Sequence, residues 1–308
     1  MVKKVCVTGA TGFLAVPLIK LCVAKGCKVY AVVRPASVNI NRLEGLKNVF
    51  IVECEMQDYN LLADKVHDNI DMFFHLSWEG IRGKHRDDEA LQYKNYSNSI
   101  TVLKEAIKLN TKVFVGVGSQ AEYGSILGEM QESMEVNPDT EYGRFKCMLC
   151  DDGQKISEQN NIRFIWGRIF SAYGIHDTPG SLISSCIEKM RKNEAIELLQ
   201  GEQDWNYIYV ADVAEALWRL GIKQEAKGIF NVASKDNRKL KDYIMELKEI
   251  LGSESCLKYE ALDRHDALRG IRPNIDKLVS TLEWLPGTSF KAGILRCMEG
   301  INIANEND

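Results

Sequence analysis

Two glycines three residues apart constrain this chain more than any other feature. Val5 and Val7 form a short β-branched run, followed by Gly9-Ala10-Thr11-Gly12 and then an apolar series at helical spacing: Leu14, Leu18, Ile19, Leu21, Cys22 and Val23. Gly9 suits a tight turn because it has no Cβ to clash. Gly12 lets backbone approach a bulky group, and Ala15 is small enough for a helix to lie against the strand. The unpaired N–H groups and positive dipole end at such a helix start suit a diphosphate. Pro17 lies inside the presumed helix and has no N–H to give. The sequence therefore predicts either a later helix start or a local irregularity.

Strand-like and helical runs then alternate. Val29–Val33, Val49–Val52, Met72–Leu76, Val113–Val117 and Ile162–Ile169 read as strands; Asp58–His67, Glu89–Leu109 and Tyr142–Gln159 read as helices. Near-continuous apolar strands between helices predict a parallel sheet covered on both faces. The pattern changes after Ala172, with a helix over Ser181–Lys192, short apolar pieces at Ile196–Leu199 and Tyr207–Val210, and a helix through Leu220 capped by Asp212. Leu240–Leu251 and Asn274–Leu282 read as helices. The expected fold is α/β: a doubly wound parallel sheet over residues 1–174, joined in part by 203–234. A smaller lid built from 175–202 and 235–308 is expected at the carboxyl ends of the strands.

Composition excludes several roles. A net charge of -4 gives no attraction to nucleic acid or to an anionic membrane. No apolar run reaches the roughly 18 residues of a membrane span. The strand at the N-terminus predicts no secretory leader. The nine cysteines are scattered and odd in number, as in a reduced, cytoplasmic protein. Cys147-Met-Leu-Cys150 has no second ligand pair nearby, so it reads as helix-face cysteines and not as a metal site.

Two places carry chemistry. Ser119 follows the fifth strand, at the carboxyl end where open α/β sheets bind ligands. Tyr142 and Lys146 are four residues apart and share one helix face. An ammonium near a phenol favours phenolate, so the phenol exchanges protons nearer neutrality. Arg34 stands at the end of the second strand, where an acidic residue would bind a ribose 2′-hydroxyl; a guanidinium suits a 2′-phosphate instead. The expected cofactor is thus NADP in preference to NAD.

Six segments in order resemble the extended short-chain dehydrogenase/reductase family, in its nucleotide-sugar epimerase, dehydratase and ketoreductase branch. They are Thr8–Phe13, Cys54–Asp58, His75–Ser77, Gly118–Gly124 with Tyr142–Lys146, Arg168–Gly174 and Tyr207–Ala216. The resemblance spans nearly the whole chain. It implies that Tyr142 exchanges the proton at the substrate oxygen and that Ser119 hydrogen-bonds that oxygen. Lys146 tunes Tyr142 and holds the nicotinamide ribose. It further implies that Gly9, Thr11, Gly12, Phe13, Leu14, Arg34, Glu55, Met56, Leu76, Ser77 and Phe170 line the cofactor, with Tyr142 and Lys146 at its reactive end. Trp78, Ser119, Gln120 and Ser171 would touch the substrate. His75 is expected to be structural, because the tyrosine already fills the role of base.

Departures from the pattern narrow the reaction. Dehydratases of the branch carry an Asp-Glu pair after the Ser or Thr; here Gln120 and Ala121 stand there, and neither acts as an acid or base. Many members carry an Arg that contacts the substrate diphosphate where this chain has Trp205-Asn206, leaving Arg269 and Arg272 as replacements. The Trp78–Arg82 and Gln203–Trp205 segments are similar to those of ketoreductases that make deoxyhexoses. The expected function is reduction of a C4 keto group on a nucleotide-linked (deoxy)hexose by a homodimer paired through its two long helices. Alternatives are a 4-epimerase with tightly held cofactor, a reductase of a hydrophobic carbonyl compound, and a non-catalytic NAD(P)-sensing protein.

Overall fold

The computed structural model describes residues 2–126, 128–177, 180–199, 201–260 and 270–306. The chain opens with β1 (Lys4–Thr8), α1 (Ala15–Ala24), β2 (Lys28–Val33), β3 (Val49–Glu53), α2 (Leu62–Val66) and β4 (Met72–His75). It continues through α3 (Glu89–Lys108), β5 (Val113–Ser119), α4 (Glu141–Gln159), β6 (Arg163–Ile169), β7 (Ser171–Tyr173), α5 (Leu182–Arg191) and β8 (Ile196–Leu199). Then come β9 (Asp204–Tyr209), α6 (Val210–Ile222), β10 (Gly228–Val232), β11 (Asn237–Lys239) and α7 (Leu240–Leu251). The described chain closes with β12 (Leu257–Glu260), α8 (Asp276–Leu282) and α9 (Phe290–Glu306).

Seven strands make one sheet in the order β10-β6-β5-β4-β1-β2-β3, parallel at every pairing. Side chains alternate between its faces. Val5, Val7, Phe74, Val115 and Ile165 pack with α1 and α6 through Leu18, Ile19, Val213 and Leu217. Cys6, Phe73, Phe114, Phe164 and Trp166 pack with α3 and α4 through Val102, Leu103, Leu149 and Cys150. Both faces are thus covered, which is the doubly wound Rossmann arrangement. The chain moves outward from β1 through β2 to β3, then returns to β4 on the other side. The reversal leaves a crevice at the carboxyl ends of β1 and β4.

Pro17 proves harmless because α1 begins at Ala15. Pro17 is its third residue, where a helical N–H has no intrahelical partner to lose. The turn before it is closed by Gly12 N–H to the Gly9 carbonyl at 2.9 Å. Asp212 does not cap a helix: α6 starts at Val210, and the Asp212 carboxylate instead accepts from the Thr288 N–H at 2.8 Å and hydroxyl at 2.9 Å. The stretch read as a helix over Asp58–His67 begins as a 3-10 turn (Met56–Leu61) and becomes α-helical only in α2. β10 and α9 had no sequence expectation.

A second apolar cluster lies apart from the large sheet. Tyr173, Ile187, Tyr207, Tyr243, Phe290 and Ile294 form it, from the three-stranded sheet β11-β9-β7 and from α5, α7 and α9. Its rings meet edge on, Tyr207 to Tyr243 at 5.0 Å and Tyr243 to Phe290 at 4.9 Å. The last third of the chain serves both clusters, since Ile271, Ile275, Leu278 and Leu282 pack into the core of the large sheet.

Candidate active site

A cleft of about 550 Å³ opens at the carboxyl ends of the central strands, between the large sheet and the second cluster. Its floor on one side is the first turn. Gly9 has φ +65°, and a Cβ there would come within 3.0 Å of the Ser77 backbone. A Cβ on Gly12 would lie 2.9 Å from the Gly9 carbonyl. Both positions are therefore bare, and backbone of the turn faces the cleft beside Phe13, Leu14 and Leu76. The Ala15 and Val16 N–H groups of α1 donate to the Gly12 carbonyl at 3.1 Å, so what this surface offers a dinucleotide diphosphate is bare backbone at the positive end of the helix dipole.

Ser119, Tyr142 and Lys146 converge on the same cleft. Ser119 ends β5 and caps the 3-10 turn Gln120–Glu122, its hydroxyl oxygen accepting from the Ala121 N–H at 3.2 Å. Tyr142 and Lys146 stand in the first turns of α4, whose N-terminus is capped by the Thr140 hydroxyl accepting from the Gly143 N–H. Burial raises the Tyr142 phenol above its usual range, while a hydrogen bond with Ser119 and the charge of Arg86 work to lower it. Burial pulls the Lys146 ammonium well below the usual lysine range. Its Nζ donates to the Val117 carbonyl at 2.7 Å and lies 3.8 Å from the centre of the Trp78 ring. Trp78 is fixed in turn: its indole N–H donates to Gln92 Oε1 at 2.7 Å, and its ring meets the Tyr142 ring edge on at 6.1 Å.

The carboxylate nearest to Ser119 in sequence points away from the cleft. Glu122 is fully buried and accepts from the Ser119 N–H at 2.7 Å, from Trp166 Nε1 at 3.0 Å and from Arg168 Nε at 2.7 Å. Gly118 makes this possible, since a Cβ there would sit 2.3 Å from Glu122 Oε1. His75 is also accounted for. Ser99 gives its hydroxyl proton to the Asn95 carbonyl at 2.7 Å, so its oxygen accepts from His75 Nε2–H at 2.8 Å. That leaves His75 Nδ1 to accept from the Thr8 hydroxyl at 2.8 Å. Burial holds the ring neutral, with its pKa pushed down to about 3.

Gln120, Phe170 and Ser171 line the cleft as well, and the Ser171 hydroxyl is 3.5 Å from Gln120 Oε1. Other expected residues stand outside its lining. Thr11 pairs with Ser37 at 3.1 Å, Ser77 accepts from the Tyr59 hydroxyl at 3.0 Å, and Glu55 and Met56 begin the 3-10 turn after β3. Arg34 follows β2 and pairs with Glu79 at 3.2 Å. These five lie at or just beyond the carboxyl ends of β1 to β4, the edge along which the adenosine half of a dinucleotide runs. Arg272 does not line the cleft: it is exposed and joined to the fold through its carbonyl, which accepts from the Met130 N–H at 2.8 Å. Arg269 lies outside the described residues.

Sequence reasoning missed Arg82, Arg86 and Tyr207 as cleft residues, and it read Trp205 as standing where an arginine is usual and as part of a ketoreductase-like segment, not as a cleft residue. Trp205 and Tyr207 stand together on β9 in the cleft lining, the Trp205 side chain hydrogen-bonding the Tyr207 phenol. The sequence signal for the arginines was the basic run Arg82-Gly-Lys-His-Arg86 directly after a strand's carboxyl end.

A model described as the NAD dependent epimerase/dehydratase family matches residues 5–233. A CDP-abequose synthase from Salmonella muenchen is 24% identical over 305 residues, covering 96% of this chain and 97% of that protein. A dTDP-6-deoxy-L-talose 4-dehydrogenase (NAD(+)) from Aggregatibacter actinomycetemcomitans is 24% identical over 248 residues, covering 78% and 87%. Among solved structures, a UDP-glucose 4-epimerase from Thermotoga maritima superposes with a TM-score of 0.87 at 20% identity, over 98% of this chain and 99% of that one. The match to the family model runs from the first strand through the seventh strand of the large sheet, and the chain belongs to the NAD dependent epimerase/dehydratase family of oxidoreductases and epimerases.

Proposed function

We propose that this enzyme reduces the C4 keto group of a nucleotide-linked (deoxy)hexose, with NADP preferred over NAD. One observation carries the choice of reaction. Directly after Ser119, Gln120 faces the cleft as an amide, Ala121 has no titratable group, and Glu122 is locked beneath the strand by Arg168. Elimination of water needs an acid or base at that place, and this segment offers none. Reduction needs only one proton, and Tyr142 lines the cleft beside Ser119. The relatives named for CDP-abequose synthesis and for 6-deoxy-L-talose 4-dehydrogenation favour a deoxyhexose substrate.

When bound, the nicotinamide cofactor supplies the hydride. The Ser119 hydroxyl holds the carbonyl oxygen, and the Tyr142 phenol delivers its proton to that oxygen as charge develops there. Lys146 holds the ribose end of the cofactor. Gly9, Gly12, Phe13 and Leu14 cradle the diphosphate, and Arg34 takes the 2′-phosphate. Trp78 walls the reacting centre, while Gln120 and Ser171 orient the sugar. Ser181 and Leu182 at the start of α5 and Trp205 and Tyr207 of β9 wall the side of the cleft where the sugar would lie.

The test is to follow reduced-nicotinamide absorbance while a 4-keto-6-deoxy nucleotide hexose is converted. A ketoreductase consumes one reduced cofactor per product. Epimerisation of a sugar nucleotide with no net change in that absorbance, and no turnover of the keto sugar, would assign the chain to the 4-epimerases instead.

A further inference from the structure

Arg86 stands on the 3-10 turn Gly83–Asp87, between β4 and α3. That loop is pinned from beneath by two buried side chains of α3. Gln92 donates to the carbonyls of Gly80 at 3.0 Å and His85 at 2.8 Å. Asn95 accepts from the Glu79 N–H at 3.1 Å and donates to the Glu79 carbonyl at 2.9 Å. The loop therefore presents Arg86 from a fixed base. The guanidinium carbon lies 5.2 Å from the centre of the Tyr142 ring, within cation–π range. Arg86 lines the cleft, its Nε is buried without a hydrogen-bond partner, and it makes no ion pair among the described residues.

Four groups bear on the Tyr142 phenol. Ser119, at the end of β5, hydrogen-bonds it. Glu122, in the next turn, opposes phenolate through its charge, although Arg168 holds that charge close. Lys146, one turn along α4, has its Nζ 5.9 Å from the ring centre and already spent on the Val117 carbonyl. Arg86 approaches from the opposite loop with its charge unpaired.

We propose that Arg86 is a positioning residue for the proposed proton transfer: an unpaired guanidinium on the loop before α3 stabilises the Tyr142 phenolate across the cleft, sharing with Lys146 the role usually given to the lysine alone. This rests on the reading of Tyr142 as the proton-transfer group. The Arg86 charge acts in the direction of lowering the phenol pKa.

The experiment follows alcohol oxidation, in which phenolate is the base and the rate rises with pH through the Tyr142 limb. Arg86→Gln is expected to move that limb upward by about one pH unit, because an opposite charge at this range favours the charged form. Arg86→Lys is expected to bring most of it back. A second readout is the tyrosinate absorbance of each protein minus that of its Tyr142→Phe counterpart, titrated without substrate; it should move with the kinetic limb. An unmoved limb in Arg86→Gln overturns the inference, as does a change confined to the KM for the sugar nucleotide. Normal turnover by Tyr142→Phe would instead sink the underlying reading of Tyr142. An inactive Tyr142→Phe with an unmoved Arg86→Gln limb sinks only the role of Arg86.

Discussion

Arg168 Nε lies 2.7 Å from Glu122 Oε2, and the two side chains are 4% and 0% exposed. The pair sits on the face of the sheet opposite α1, where β5 and β6 run side by side. Burial works against the Arg168 charge, but the adjoining Glu122 carboxylate and the Tyr123 phenol together outweigh it and hold the guanidinium above its usual range. The same carboxylate ties down the Ser119 N–H at 2.7 Å, so the pair also fixes the backbone beneath the proposed site.

Glu122→Gln keeps the shape and removes the charge. Breaking a buried pair from one side leaves the other charge uncompensated, at a cost of about 3–5 kcal/mol. The midpoint of urea denaturation should fall accordingly at an unchanged slope. A loss below about 1 kcal/mol, as for an exposed pair, would mean that Arg168 finds another partner.

Much of this was legible in the sequence, for reasons that differ by residue. The strands of the large sheet are covered on both faces, so Val29–Val33 or Val113–Val117 reads as an unbroken apolar run. Tyr142 and Lys146 were legible because helical spacing puts them on one face. β10 was not, because Gly228-Ile-Phe-Asn-Val232 carries a polar residue. Its Asn231 is fully buried, accepts from the Tyr123 hydroxyl at 2.7 Å and donates to the carbonyls of Met130 at 2.9 Å and Asn274 at 3.0 Å. No local pattern announces partners so distant in sequence. Asp212 misled for the same reason: its partner, Thr288, is 76 residues away. Arg86 stayed hidden because a loop has no period from which to infer facing.

We propose that Arg34 selects NADP. Its side chain is 61% exposed, and its pairing with Glu79 at 3.2 Å is of the kind that contributes little in water. A 2′-phosphate would offer two parallel hydrogen bonds in its place. Arg34→Asp is expected to raise the KM for NADP by about tenfold or more, with far less effect on NAD. Wild-type Michaelis constants favouring NAD tenfold would count against the assignment.

We also propose that two copies pair through α3 and α4. Tyr93, Tyr96 and Phe145 gather on these helices with ring centres 5.9 to 6.2 Å apart, and Tyr93 is 56% exposed. Leu103 of α3 faces the core of the sheet and is buried, so it lies outside this contact. Phe145 is buried and Tyr96 half-buried, so Tyr93 is the ring of this group that stands out from the surface, as an aromatic at a subunit interface does. Light scattering at micromolar concentration should give twice the chain mass, and Tyr93→Asp should shift it toward the single-chain value. A single-chain mass for the wild type would exclude the dimer.

The neutral His75 makes the fold sensitive to mild acid. Unfolded, the ring titrates near 6.5; folded, burial holds it down to about 3. Between those values the unfolded chain carries a proton that the folded chain refuses, so stability rises with pH across the window. On acidification, the contribution present above pH 6.5 is lost progressively toward pH 3. Each pH unit is worth about 1.4 kcal/mol, so going from pH 6.5 to 5 costs about 2 kcal/mol from this group. The folded state cannot relieve the loss by protonating the ring in place, because Nδ1 is already an acceptor for the Thr8 hydroxyl. A proton there would set two donors against each other unless Thr8 gave up its bond. His75→Asn removes the titration, and although less stable at pH 7, it should show a flatter fall in denaturation midpoint between pH 6.5 and 5. Parallel falls in wild type and variant would show that the acid sensitivity arises elsewhere.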